Sequence, residues 1–157
     1  MNPILQRLYD GWLALLEILR SPFLLAVRLY WGINLMLGGW GKLTDLKTVT
    51  GYFDSLHIPF PQLNALLAAC TETFGGLLFA LGFASRIVPV PLLFVMGVAY
   101  ATAEQDSLKA IWTDPDKFVS ATPFEFAFAF LLVLLFGPGK LSIDGWLGRK
   151  KNAAARE

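Results

Sequence analysis

Residues 61–83 read PQLNALLAACTETFGGLLFALGF, and this stretch decides the fold. Its one charge is Glu72, and only Gln62, Asn64, Thr71 and Thr73 otherwise interrupt the apolar run. A hydrocarbon core about 30 Å thick is crossed by roughly 20 apolar helical residues. No water is available there to satisfy backbone amides, so such a run must be a helix. The stretch predicts a transmembrane helix with a carboxyl near its middle.

Three further stretches share this character. Residues 22–40 are apolar apart from Arg28 and Asn34, residues 87–103 carry no charge, and residues 121–137 carry only Glu125. Pro89 and Pro91 predict a kink or an irregular first turn at the start of the third stretch. The expected fold class is all-α, a transmembrane four-helix bundle.

Composition agrees. Of 157 residues, 55% are apolar and only 16% charged, where a soluble domain carries about 25%. Thirteen Phe and five Trp would leave a water-facing surface under-covered. A net charge of +1 lacks the clustered basic face that nucleic acid requires. One Cys excludes an internal disulfide, and one Cys with one His cannot build a metal centre unaided. There is also no phosphate-cradling glycine loop and no nucleophile beside a histidine. The reading is a membrane protein with no metal and no nucleic-acid partner.

The first residues differ from the spans. Ile4, Leu5, Leu8, Trp12, Leu15, Leu16 and Leu19 recur at helical spacing, with Gln6, Arg7, Asp10, Ala14 and Glu17 opposite. This pattern predicts an amphipathic helix lying in the membrane interface. Asp10 and Glu17 spoil the uninterrupted apolar centre of a cleavable signal peptide. Ser21 and Pro22 read as the N-cap and first residue of the first span. The chain thus divides into an interfacial helix (1–21), a four-span membrane domain (22–147) and a basic cytoplasmic tail (148–157).

Loop charges set the orientation. The N-terminal segment, the connection at Arg86 and the tail hold eight Lys and Arg, against four in the loops at 41–60 and 104–120. Both termini are expected to be cytoplasmic, with the two longer loops outside.

Charges inside spans are costly and normally face the bundle interior, with partners. Counted from the span ends at about 1.5 Å per residue, Arg28 lies roughly 9 Å inside the cytoplasmic edge and Glu72 roughly 16 Å from the outer edge. Their backbones would then differ in depth by about 5 Å, and an Arg–Glu pair becomes possible. Cβ atoms tilt toward a helix N-terminus, however, so Arg28 leans toward the cytoplasm and Glu72 away from it. Arg28, Gly32, Leu35, Gly39 and Lys42 fall on one stripe, and Ala65, Ala69, Glu72 and Gly76 on another. Small residues at this spacing let helices approach closely in lipid. Lys42, Glu104 and Glu125 could meet near the outer edge as a polar pocket. The intramembrane polar site is therefore Arg28, Glu72, Lys42 and Glu125. An Arg28–Glu72 pair could equally only fix helix register, and Lys42 and Glu125 could simply be solvated at the rim.

The remaining candidates have plainer readings. His57 is a solvated loop residue or a base, and Cys70 a small packing residue. Phe124, Phe126, Phe128 and Phe130 alternate and so coat two faces of the fourth helix. Trp31, Trp40 and Tyr100 read as interfacial or packing aromatics.

Several short motifs follow one another along the chain. Arg28-Leu29 comes early, and a Gly-rich exit leads to Lys42-Leu43. Glu72-Thr73-Phe74-Gly75-Gly76-Leu77-Leu78 and Leu81-Gly82-Phe83-Ala84-Ser85-Arg86 follow, and Gly137-Pro138-Gly139-Lys140-Leu141-Ser142-Ile143-Asp144 closes the last span. Together they resemble the DoxX family of small four-helix bacterial membrane proteins, over about residues 20–147. The resemblance implies the bacterial cytoplasmic membrane and, as the cofactor, a quinone, since members are linked to quinone-coupled oxidation of sulfur compounds and to quinone stress. An aromatic-rich bundle can admit such a ring, Arg28 or Lys42 can donate to its carbonyl, and Glu72 can carry protons. Electrons must come from another membrane or redox subunit. The reading is a quinone-linked or redox-complex subunit without a redox centre of its own. The rival is a non-enzymatic assembly subunit packed against a larger membrane complex. Four spans without an inverted repeat argue against a transporter.

Overall fold

The computed structural model describes residues 3–154, all of whose regular elements are helical. Arg156 lies outside the described residues, as do the side chains of Ile4 and Lys151. The principal elements are α1 (Pro3–Thr44), α2 (Leu46–Ser55), α3 (Pro61–Leu81), α4 (Pro89–Thr102), α5 (Gln105–Lys109), α6 (Pro115–Val119), α7 (Thr122–Phe136) and α8 (Ile143–Ala154). A short 3₁₀ turn, Ala110–Trp112, joins α5 to α6.

The expected break at Ser21-Pro22 is not there. α1 is one helix of 42 residues with Pro22 inside it. The proline φ is itself helical, so the ring removes one backbone donor without redirecting the chain. A Ser-Pro pair opening a helix and one within a helix look alike in sequence. Ser21 caps something else: its hydroxyl accepts the amide of Lys140 at 3.0 Å. The apolar side chains from Leu5 to Leu19 stand exposed along this extension.

The remaining boundaries follow local chemistry. Asp45 caps α2 by accepting the Thr48 amide. Pro61 and Pro89 occupy first helical positions, where a missing N–H costs nothing. The irregular start foreseen for the third span is real: residues 82–88 form turns, and regular helix begins only at Pro89. α3 ends on Gly82 at φ 67°, with Gly82 donating to Phe79 O and Phe83 to Leu78 O. That left-handed C-terminal closure suits glycine.

Among the described residues, only α3 is both long and apolar enough to cross a membrane. α4 and α7 are apolar but span 14 and 15 residues, shorter than the stretches read from sequence. The chain spends the difference on the turns at 82–88 and on the short helices between Gln105 and Val119.

α1 and α3 lie side by side at very close range. A methyl added at Gly32 would meet Ala80 and Gly76 at 2.9 Å, and one at Gly39 would meet the Thr73 amide nitrogen at 2.5 Å. Both stripes read from the sequence face inward, with Lys42 alone partly exposed. Arg28, Gly32, Leu35 and Gly39 are buried on α1, and Ala65, Ala69, Glu72 and Gly76 on α3. Below them a core layer joins Phe79, Leu92, Phe130 and Val133, with the Phe79 and Phe130 rings edge to face at 4.9 Å. The alternating phenylalanines divide as expected. Phe126 and Phe130 pack inward, while Phe124 stacks on the exposed Phe128 at 6.1 Å.

Candidate functional site

The α1–α3 register determines which charges can meet. Gly32 lies against Ala80, Met36 against Gly76 and Gly39 against Thr73. Glu72 is therefore level with residue 40 and Arg28 with residue 84, about 18 Å apart along the axis. The Arg28–Glu72 pair that the sequence left possible does not form. Depths counted from 22 and 61 put the two helices in the wrong register, because α1 does not begin at 22.

Glu72 pairs with Lys42 instead. The ammonium donates to both carboxylate oxygens at 2.6 Å. The Cβ tilt favours this pair, since Lys42 leans along α1 toward its N-terminus and Glu72 leans the opposite way in space. Glu72 retains 6% side-chain exposure and Lys42 39%. One end of the pair is enclosed and the other reaches the surface.

The pair lines a cavity of about 290 Å³ between α1, α3, α4 and the start of α7. Leu35, Met96, Ala99, Pro123 and Phe126 supply apolar walls. The other polar lining residues are Asn34, Glu104 and Thr122. Asn34 is already committed, donating to Tyr30 O at 2.7 Å, and Glu104 accepts from the buried Ser107 hydroxyl at 2.9 Å. Glu125 is exposed and not part of the lining; in the pocket foreseen near the outer edge, Glu104 is present and Glu125 is not.

Arg28 serves a different place. Wholly buried, it donates to the carbonyls of Ala80 and Leu141, with the negative charge of Asp144 close by. The two Asp144 oxygens accept the amides of Ala84 and Ser85 at 2.9 and 2.8 Å. The closing segment thus docks on the turn after α3. Arg86 and Arg20 donate to Leu134 O and Phe136 O, filling carbonyls that the end of α7 leaves open. His57 is exposed at φ 57°. Tyr100 is buried, stacks on Phe118 at 4.9 Å and donates to its carbonyl at 2.8 Å, so it packs rather than sits at an interface. Cys70 is a half-buried free thiol.

A family model described as DoxX matches residues 23–105. The chain belongs to the DoxX family. It is a membrane protein of that family. The match takes in the Lys42–Glu72 pair, Arg28 and Glu104, but ends before the closing segment 137–144. Over 128 residues the chain is 28% identical to a protein named Inner membrane protein YphA from Escherichia coli (strain K12). That alignment covers 80% of this DoxX chain and 90% of the relative. No solved structure matches it.

Proposed function

We propose that this DoxX protein is a four-span inner-membrane subunit, both termini cytoplasmic, that binds the head group of a quinone between α1, α3, α4 and α7. The observation that carries the reading is the Lys42–Glu72 pair on the wall of an otherwise largely apolar cavity. At about 290 Å³ the cavity is close to the lower end of small-molecule sites, the size for one ring. Phe126 and Met96 offer the apolar surface that a ring needs, and Lys42, partly exposed, retains a hydrogen for a carbonyl oxygen. A bound quinone would supply two-electron, two-proton chemistry, with electrons delivered by a partner subunit. Lys42 would hold the carbonyl and Glu72 would hold or release a proton.

The span assignment rests on apolar surface. Phe23, Tyr30, Leu37, Phe74, Leu81, Phe94, Phe128 and Leu135 are all exposed on α1, α3, α4 and α7. So much apolar surface on a monomer calls for lipid or a partner to cover it. α4 and α7, although short, become long enough with their flanking turns.

The rival is a non-enzymatic assembly subunit. It draws on the exposed apolar residues between Leu5 and Leu19 and on a Glu72 already satisfied by one lysine. Lipid extraction of the purified protein tests the choice. Quinone should copurify with the wild type, and Lys42→Met and Glu72→Gln should each remove it while the protein stays folded. Quinone-free protein bound to a larger complex would overturn the quinone reading.

A further inference from the structure

A second cavity, of about 500 Å³, lies against the first on the side of the longer loops. Its lining is polar, with Ser55, His57, Asp106 and Lys117 among the residues. The two cavities share Ala103 and Glu104. These two residues form the break between α4 and α5, where both amides turn back onto Ala99 O, at 2.9 and 3.0 Å. Ser107, itself buried, holds one Glu104 oxygen. A polar space open to the loops therefore meets the space around Lys42 and Glu72 at a single carboxylate.

The opposite direction is closed. Toward Arg28 the helices touch through Gly32, Gly76 and Ala80, and the layer of Phe79, Leu92, Phe130 and Val133 is fully buried. Among the described residues that layer is wholly apolar.

We propose that Glu104 is the doorway of a one-sided aqueous path, through which the enclosed Glu72 end of the Lys42–Glu72 pair exchanges water only with the side bearing the 41–60 and 104–120 loops. The charged and titratable groups facing Glu104 are Lys42 from α1, Glu72 from α3, Tyr100 from α4, Asp106 from α5, Lys117 from α6 and His57 from the loop after α2. This inference rests on the membrane reading above but not on the quinone.

Thiol labelling in oriented membrane vesicles tests it. In a Cys70→Ala background, Ala99→Cys places a thiol on the inner cavity, and Ser55→Cys reports which side the loops face. Met96→Cys is the second probe, since Met96 lines the same cavity and is buried. A small membrane-impermeant cationic thiol reagent should modify the cavity thiols only from the side that labels Ser55→Cys. Adding Glu104→Phe should slow that reaction about tenfold, or about 1.4 kcal/mol of barrier, whereas Glu104→Gln should leave it unchanged. Labelling of the cavity thiols from the opposite side, their failure to label while Ser55→Cys reacts, or indifference to Glu104→Phe would overturn the doorway. Loss of quinone with labelling intact would instead count against the binding reading alone.

Discussion

The Lys42 ammonium meets both Glu72 carboxylate oxygens at 2.6 Å across the close α1–α3 contact, one turn from where Gly39 meets Thr73. Their unequal exposure makes the two ends of the pair inequivalent. Lys42→Met strands a carboxylate that water barely reaches, so it should cost about 3–5 kcal/mol. Glu72→Gln leaves a lysine that can turn to the surface, so its cost should be clearly smaller. The double variant Lys42→Met/Glu72→Leu should recover much of the loss. Unfolding curves of the four proteins in one detergent check the order, and equal costs for the two single variants would refute it.

Arg28 should prove to be a clamp. Arg28→Leu leaves the Ala80 and Leu141 carbonyls unfilled and Asp144 without its neighbouring cation, and should cost about 3 kcal/mol or more. Limited proteolysis between Phe136 and Ile143 should accelerate. The quinone bound per folded molecule should not change, because Arg28 does not line the cavity. Lipid extraction of the folded fraction checks this.

Adjacent glycines on α1 should respond in opposite ways. A methyl at Gly39 meets the backbone of Thr73, which cannot step aside, whereas one at Gly38 meets nothing within 4 Å. Gly39→Ala should therefore part α1 from α3 and lower the melting temperature. Gly38→Ala should be neutral, or stabilising by about 0.5–1 kcal/mol. Thermal melts of the two variants side by side are sufficient.

A similar contrast separates Gly82 from Gly97. Gly82 combines φ 67° with a Cβ position already taken by the Arg28 guanidinium and Ser142. Gly82→Ala should cost about 1–2 kcal/mol for the backbone alone, and more for the collision. Gly97→Ala, with open space beside it, should be tolerated. Detergent melting temperatures distinguish the two.

Much of this was legible in the chain itself. The stripe of small residues fixed which faces of α1 and α3 meet, and the cost of a carboxyl in lipid meant that Glu72 had to be interior. The family, too, could be recognised from short motifs. The partner of Glu72 was misread because depth was counted from span ends, and those ends depended on a helix start at Ser21-Pro22 that does not exist. The correct signal was present in the Cβ tilt, which sends Arg28 and Glu72 apart and brings Lys42 toward Glu72. Glu104 was placed near Lys42 by its position at the end of an uncharged run. Glu125 sits in the first turn of α7, and one helical rotation turned it outward. No local pattern could reveal that two cavities meet at Ala103 and Glu104, since their walls come from segments far apart in the chain.

The continuity of α1 through Pro22 has a mechanical meaning. Trp12 and Lys42 are points on the same rod, about 45 Å apart. A load on the exposed end is therefore borne, through one helix, by the close α1–α3 contact beside the pair. The exposed apolar extension and the lysine of the ion pair thus belong to one continuous element.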